Sequence, residues 1–263
     1  MQMSVELLKN PTMLSKGICL QLAVKLKFLD DAIIRSNEPE EVLTFSYKPP
    51  LNNRFIIPWR KVKGKLRRLV LEKQRGLGIQ VNCHLKDGLC MQCPNCFLFG
   101  GTGETSNKRV KYNILSRVLG ETFISTTEVS EIQPYTENAV DEVDLTTGQA
   151  LMSVVTVPKE TEFLGVVTLK DPTPEMTSIL VDNLNRLTRL GASTREWGRV
   201  DTRILGYRLS DREELSAYDH VFPKDSISDL SDISDLNLPG VDDSYRNLDL
   251  AVKNLLKEYK LIA

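Results

Sequence analysis

The sequence predicts an α+β fold built around a mainly antiparallel sheet. Residues 18–28 alternate between apolar and polar side chains, which is the period of an amphipathic strand. Residues 58–73 carry apolar side chains at helical spacing, and further strands and helices follow in irregular order. Such an order is typical of α+β proteins rather than of a parallel α/β sheet. At 263 residues, the chain suits one large domain with insertions or two modest ones.

The first half of the chain contains a clear strand and a clear helix. In the strand, the even-numbered positions of 18–28 are apolar, and Cys19 lies on the more polar face. Pro58 suits the first position of the helix, and the glycines at 76 and 78 end it. Residues 108–119 are apolar and basic, and they fit either a strand or a helix.

The second half of the chain predicts more strands than helices. The expected elements are, in order, a β-hairpin at 121–160, a strand at 163–169, a helix opened by Thr173 and Pro174 and closed by Gly191, a strand at 199–209, an acidic low-complexity segment at 225–243 and a helix from Tyr245. The acidic segment is interpreted as a linker or as a segment that docks on a sheet edge.

The composition is that of a soluble globular protein, with 41% hydrophobic and 26% charged residues. No stretch approaches the roughly 20 apolar residues of a membrane helix, and the first residues lack a signal-peptide pattern. We therefore expect a cytoplasmic protein with no membrane partner.

The net charge of −1 hides a strong asymmetry along the chain. Residues 1–120 carry 20 Lys and Arg against 9 Asp and Glu, whereas the remainder carries 14 against 26. A polyanion would be attracted to the basic half whatever the average charge is. The alternative interpretation is that the two halves attract each other, within one copy or between neighbouring copies.

A cluster of cysteines lies in the middle of the basic half. Four of the five cysteines, Cys83, Cys90, Cys93 and Cys96, fall within fourteen residues. In a cytosolic chain this spacing favours a metal over disulfides, and four thiolates suit structural, tetrahedral Zn²⁺. His84 is the alternative to Cys83, since adjacent residues cannot easily both be ligands. An iron–sulfur cluster and a metal-free cluster are the other interpretations.

A dense basic helix precedes the cysteines. Residues 54–75 contain nine Lys or Arg and a single acid, Glu72. Like charges at this density destabilise a helix unless phosphates or other anions neutralise them. Gly64 costs about 1 kcal/mol relative to alanine in mid-helix, and a close backbone approach to a phosphate or ribose would explain its presence. The alternative interpretation is a solvated helix face.

Two other basic segments contain glycine. In the first, the run Gly100, Gly101 and Gly103 could form a phosphate-binding turn, although it does not match the Walker pattern. The second, residues 189–199, contains Trp197, whose ring could stack on a base or lie in the core. A metal-binding cysteine cluster beside cationic segments indicates a protein that binds nucleic acid.

Three of these motifs resemble the RAMP superfamily of CRISPR systems. Residues 57–69 are similar to its (I)P-x-x-S-x-K-G-x-x-R helix, with Lys61 and Val62 where serines are usual. Residues 93–101 are similar to its C-P-x-C-x-L-F-G segment, and 190–203 to its glycine- and arginine-bearing stretch. The chain as a whole is most similar to the crRNA-binding backbone subunit of the type I-D effector complex.

The resemblance implies an RRM-like, that is ferredoxin-like, core with inserted subdomains. The implied parts are a discontinuous core of residues 1–75, 101–120 and 160–222, a zinc-binding insertion at 76–100, a β-hairpin thumb at 121–159, and an acidic linker with a C-terminal helix at 223–263.

The resemblance also implies a guide-RNA scaffold of the Cascade type. Several copies would form a filament along one crRNA, hold its backbone, and present it to target DNA together with other subunits of the effector complex. The candidate RNA-binding residues are Arg54, Arg60, Lys61, Lys63, Gly64, Lys65, Arg67, Arg68, Gly100, Gly101, Lys108, Arg109, Lys111, Arg195 and Arg199.

Such a scaffold is expected not to be an enzyme. The alternative is a subunit that also cuts the bound target strand with a divalent metal, for which Asp30 and Asp31 after the first strand are the candidates. Their structural interpretation is a solvated turn. A self-contained RNA-processing nuclease is disfavoured, because neither His84 nor His220 has an obvious general-acid partner.

Overall fold

The computed structural model describes residues 5–34, 44–46, 51–107, 109–129, 134–140, 147–219 and 229–262, with the backbone alone for 134–140 and 147–155. Its elements are, in order, β1 (Cys19–Phe28), β2 (Thr44–Phe45), β3 (Arg54–Ile57), α1 (Trp59–Gly76), α2 (Pro94–Phe99), β4 (Val118–Gly120), β5 (Phe123–Glu128), β6 (Pro134–Val140), β7 (Thr147–Val155), β8 (Glu162–Lys170), α3 (Pro174–Asn185), β9 (Val200–Ser210), a 3₁₀ turn (Ile233–Asp235) and α4 (Val241–Glu258).

One seven-stranded sheet forms the centre of the described part of the chain. Its strands lie in the order β2-β3-β5-β8-β1-β9, β4 also pairs with β8, and every one of these pairings is antiparallel. Strands β6 and β7 form a separate antiparallel pair, so the hairpin expected at 121–160 is present. The expected turn at Thr146 lies outside the described residues. The prediction of an α+β fold with a mainly antiparallel sheet is confirmed.

Strand β1 pairs with β8 and β9, and both of its faces are buried over its first six residues. Its even-numbered apolar residues, from Leu20 to Phe28, are fully buried against the helices. The expectation of a polar opposite face is wrong near the start of the strand, where Cys19 and Gln21 are buried as well. The reason is tertiary, because residues 214–217 cover this face and Gln21 Nε2 donates to Leu215 O at 2.9 Å.

The four helices pack on one side of the sheet around a single apolar core. Helix α1 buries the stripe that its sequence predicts, including Val62, Leu66 and Val70. Between α3 and α4, the buried Tyr245 hydroxyl accepts a hydrogen bond from Asn183 Nδ2 at 2.9 Å. Burying each large apolar side chain contributes about 1.5–3 kcal/mol, so this face supplies much of the stability of the fold.

Two helix boundaries differ from the sequence-based expectation. Helix α3 ends at Asn185 and not at Gly191, because the following backbone bonds to the region before β9, with Val200 N donating to Thr188 O and Leu190 N to Gly198 O. Helix α4 begins at Val241, four residues before Tyr245, and two aspartates in its first turn complement the helix dipole.

The ambiguous and acidic segments also have defined places. Residues 109–117 are irregular, and only Val118–Gly120 of the segment 108–119 forms a strand. Residues 229–236 dock on the sheet edge, since Ser231 and Tyr207 of β9 exchange backbone hydrogen bonds of 2.9 and 3.1 Å. This covered edge strand favours the edge-docking interpretation for that part of the acidic segment. Within the described residues, every helix is too short or too polar to span a bilayer.

Candidate metal centre and nucleic-acid interface

The four clustered cysteines converge on one point. The sulfur of Cys96 lies 3.7 Å from that of Cys83 and 4.0 Å from that of Cys90, and the sulfurs of Cys93 and Cys83 are 3.8 Å apart. All four side chains are buried, and among the described residues these cysteines are the group that could hold a metal ion. Sequence spacing alone predicted this cluster.

Local backbone geometry brings the sulfurs together. Cys93 caps α2 with its sulfur, and Pro94 occupies the first position of that helix. Gly88 has a φ of 103°, and a Cβ there would lie 2.5 Å from Asn107 N, so the loop between Cys83 and Cys90 requires glycine. The hydrogen bonds from the neighbouring thiols, that of Cys90 first, lower the pKa of Cys83 far below its usual range, which favours a thiolate.

The donor set fits one tetrahedral ion. Metal–sulfur bonds of about 2.3 Å place the sulfurs of a tetrahedral site about 3.8 Å apart, which agrees with the three separations. In a four-iron cluster each thiolate binds a different iron atom, which requires wider spacing. His84 lies outside the cluster, because its half-exposed ring bonds Asp87 Oδ2 through Nδ1 at 2.8 Å. Cys83, not His84, therefore lies where a fourth donor to one ion could be.

A basic cleft lies between α1 and the loop that follows α3. We use this name for the space of about 520 Å³ that is lined by Arg60, Lys61, Gly64, Lys65, Arg68, Arg189, Leu190, Gly191 and Thr194. Five of these residues are cationic and none is acidic. No described carboxylate lies within ion-pair distance of the five cations. The cleft therefore has an uncompensated positive field.

The loop that follows α3 forms one wall of the cleft and is held by hydrogen bonds within itself. Arg189 Nη1 donates to Thr194 O at 3.0 Å, and Leu190 N donates to Gly198 O at 2.8 Å. Gly198 has a φ of 75°, and an added Cβ would lie 2.2 Å from Leu190 O, so the loop closes only with glycine at this position. On the α1 side, a Cβ on Gly64 would meet only Arg68 Nη1 at 4.0 Å, so the helix backbone is open to the cleft.

Not every basic residue of the helix region faces the cleft. Lys63 Nζ donates to Ser116 Oγ at 3.0 Å, and Arg67 Nη2 donates to Gly100 O at 2.8 Å, so both point toward the cysteine side of α1. Burial lowers the pKa of both groups. Arg54 is buried in β3, and its Nη1 donates to Thr126 O. These three side chains are engaged within the fold and do not line the basic cleft.

The glycine run is closely packed on one side, and Gly100 and Gly101 also line an open pocket beside Arg67. A Cβ on Gly100 would lie 2.8 Å from Ile114 O, and one on Gly101 would lie 2.6 Å from Met91 Sδ. Arg109 and Lys111 are exposed on the following segment, outside the lining of the cleft, and Lys108 lies outside the described residues. Arg195 and Arg199 are exposed beside the cleft loop without lining the cleft.

The two candidate catalytic aspartates hold loops together. Asp30 Oδ1 accepts from Arg199 N at 2.6 Å, and Asp31 Oδ1 accepts from Lys159 N at 2.8 Å. Both carboxylates thus join the end of β1 to neighbouring loops. This geometry favours the structural interpretation of the pair over a metal-binding one.

Comparisons with known proteins agree with these features. A family model described as Csc2 Crispr matches residues 52–258, which are most of the chain. The chain belongs to the Csc2 CRISPR family. No curated protein has a matching sequence. The crystal structure of Thermofilum pendens Csc2 is similar with a TM-score of 0.58 and 21% identity, over 92% of this chain and 78% of that chain. A chain of a type IV-B CRISPR complex has a TM-score of 0.51 and 14% identity, over 74% and 93%.

Part of the sheet face opposite the helices is covered in this Csc2-family chain. Residues 214–217 lie over the start of β1, where Glu121 Oε2 accepts from Ala217 N at 2.7 Å and Gln21 Nε2 donates to Leu215 O at 2.9 Å. Burial raises the pKa of Glu121. Trp197 lines a shallow depression with Asp30 and Asp31, away from the basic cleft.

Sequence reasoning missed Arg189 and Thr194 as lining residues of the cleft. The basic, glycine-bearing segment was recognised, but its helix was expected to continue to Gly191, which placed Arg189 inside the helix. The signal that could have identified it is positional, because Arg189 directly precedes the segment 190–203 that resembles the superfamily motif.

Proposed function

We propose that this Csc2-family chain binds the backbone of CRISPR guide RNA in its basic cleft and serves as the backbone subunit of a Cascade-type effector complex, most similar to type I-D. The observation that carries the proposal is the cleft itself, in which five cations from two distant segments face one space without an acidic partner among the described residues. Phosphates supply the missing counter-charge.

Backbone contact suits the task of a guide-RNA subunit. A guide must pair with any target sequence, so the protein gains nothing from reading bases, and Lys or Arg contacts to phosphates carry no sequence information. Gly64 supports such contact, because its open Cα lets a phosphate or ribose approach the helix between Lys61 and Arg68. The covering of the start of β1 by residues 214–217 supports the same route.

The proposed core is RRM-like. The order of elements β1-α1-β5-β8-α3-β9 and the sheet order β5-β8-β1-β9 follow the ferredoxin-like β-α-β-β-α-β pattern. On this basis we propose the core of residues 1–75, 101–120 and 160–222, the insertion 76–100, the thumb 121–159 and the C-terminal part 223–263. The thumb corresponds to the β6–β7 pair.

We further propose that copies of the chain assemble along one crRNA, with target DNA and other subunits of the effector complex as partners. The excess of basic residues before position 120 and of acidic residues after it supports contact between unlike faces of successive copies. The neighbour from a type IV-B CRISPR complex shares the fold.

The cysteine cluster is proposed to hold one structural zinc ion. Four thiolates with tetrahedral spacing leave no open position for a substrate, as in structural zinc sites. The ion would stabilise an insertion that has little regular structure besides α2. No step of catalysis is assigned to it.

Salt dependence tests the RNA interface. For single-stranded RNA, each neutralised phosphate contributes about −0.7 to the slope of log K against log salt. We expect Arg60→Gln, Lys61→Gln, Lys65→Gln and Arg68→Gln each to reduce the magnitude of the wild-type slope by about this amount. Lys257→Gln, an exposed site on α4, is the control and should leave the slope unchanged. Equal slopes for all five variants would contradict the proposal.

We propose that the subunit itself does not cut the target. Asp30 and Asp31 are engaged by backbone N–H groups, which favours a structural role. With Asn at both positions, the side-chain oxygens can still accept these hydrogen bonds, although the bonds should be weaker. Regularly spaced cutting of the target by the assembled wild-type complex, lost in the double Asn variant, would establish the catalytic alternative.

A further inference from the structure

Arg67 connects the basic helix to the cysteine cluster. It lies one helical turn from Lys63, on the side of α1 that faces away from the basic cleft. Its Nη2 donates to Gly100 O at 2.8 Å, and Gly100 N donates to Cys96 O at 3.0 Å. The guanidinium therefore reaches the end of α2, the helix that Cys93 caps and that contains Cys96.

One nitrogen of the guanidinium lacks an ordinary partner. Arg67 Nε is buried without a hydrogen-bond acceptor among the described residues. Burial lowers the pKa of Arg67, whereas negative charge on Cys96, Cys83 and Cys93 raises it. A buried donor on a charged group requires a compensating acceptor or a negative charge nearby.

The metal centre needs a positive neighbour in return. Four thiolates around one divalent ion leave two negative charges uncompensated in a buried site. Two backbone N–H groups offset part of this charge, with Cys90 N 3.4 Å from Cys83 Sγ and Cys96 N 3.5 Å from Cys93 Sγ. Groups that neutralise and orient such ligands from outside the coordination sphere influence metal affinity strongly.

We propose that Arg67 is the counter-charge of the cysteine metal centre, a positioning residue that holds this centre against α1, and that it is not an RNA ligand. The inference rests on the metal centre proposed above.

Zinc competition on the purified full chain tests this role. Zn²⁺ is titrated between the protein and a chromophoric chelator for the wild type, Arg67→Gln, Arg67→Lys and, as the control, Arg68→Gln. The Gln variant keeps a donor for Gly100 O but removes the charge, whereas the Lys variant keeps the charge. We expect about 10–100-fold weaker zinc binding for R67Q, a much smaller loss for R67K, and no change for R68Q.

The RNA salt slope separates the two roles of neighbouring arginines. R67Q should keep the wild-type slope of log K against log salt. In R68Q the magnitude of this slope should fall by about 0.7. Zinc affinity of R67Q equal to that of the wild type overturns the inference, as does a slope that falls in R67Q. If R67Q does not fold, R67K decides, and a tenfold loss of zinc affinity in R67K overturns a role based on charge.

Failure of the metal centre itself is distinguishable. A folded wild-type chain that contains no metal and takes up no Zn²⁺ overturns both the proposed centre and this inference, whereas a zinc-loaded wild type with an unaffected R67Q overturns only the role of Arg67. The zinc readout is independent of RNA binding.

Discussion

Two glycines in this chain have opposite physical meanings. At Gly198 the backbone requires glycine, because its φ is positive and a Cβ would collide with Leu190 O. At Gly64 nothing in the fold requires it, since the helix has ordinary geometry and the added atom would meet open space. A residue that lowers helix stability without a packing reason points to a requirement of the cleft, which is access of RNA to the helix backbone.

Gly64→Ala should therefore stabilise the protein and weaken RNA binding. Alanine raises helix propensity, which predicts a gain of about 0.5–1 kcal/mol in the free energy of unfolding in urea. The new methyl group narrows the cleft, so RNA affinity in a filter-binding assay should fall several-fold. Gly76→Ala, at the other end of the same helix and also in open space, is the matched control for stability. If both variants bind RNA with the affinity of the wild type, the RNA does not come close to the backbone at Gly64.

At the scale of elements, the segment after β9 is clamped to the sheet by side chains. Gln21 and Glu121 accept the backbone N–H groups of residues 214–217, and this closes the face that β1 would otherwise expose. Period-two alternation predicted β1, but the start of its more polar face, at Cys19 and Gln21, is buried, and only Lys25 and Lys27 remain partly exposed. The alternation of side chains indicates which face of a strand is more polar. It does not show that a segment almost two hundred positions later, residues 214–217, covers part of that face.

Gln21→Met tests the clamp. Methionine fills a similar volume but leaves the N–H groups of Glu214 and Leu215 without their acceptor, which should cost about 1–3 kcal/mol of unfolding free energy in urea. Lys25→Met, on the same strand, breaks only a partly exposed ion pair with Glu162 and should cost less than about 1 kcal/mol. Similar losses for the two variants would show that the clamp contributes little.

The cysteine insertion should depend on its metal. Removing the ion with a chelator leaves four buried thiols that no metal ion holds together. We therefore expect a lower Tm and new proteolytic cleavage between residues 83 and 93. Added Zn²⁺ should restore both. Cys19→Ser, which changes a buried cysteine outside the cluster, should keep this metal dependence. Identical melting curves before and after chelation would contradict a structural metal.

The sequence allowed the cysteine cluster and most elements to be predicted, but not the division of the cations. Four donors within fourteen residues are a local feature, and local spacing is visible in a sequence. The basic cleft joins α1 to a loop more than a hundred positions later, so Arg189 was missed. Arg54, Lys63 and Arg67 belong to the same charge run as the cleft residues, and only their tertiary partners separate them.

At the scale of the whole molecule, charge and topology favour the route proposed for RNA. Helices cover one side of the sheet, residues 214–217 cover the start of β1 on the other, and the acidic segment 229–236 protects the edge at β9. The basic cleft remains as the cationic concave surface that the described residues offer to a polyanion. A chain with a net charge of −1 can therefore still present a local positive surface.

Photocrosslinking of bound single-stranded RNA, followed by mass spectrometry of the crosslinked peptides, tests this route most directly. The account predicts crosslinks in residues 60–68 and 189–194, lost when salt is raised. Crosslinks concentrated on β9 or on residues 214–217, with none on either wall of the cleft, would contradict it.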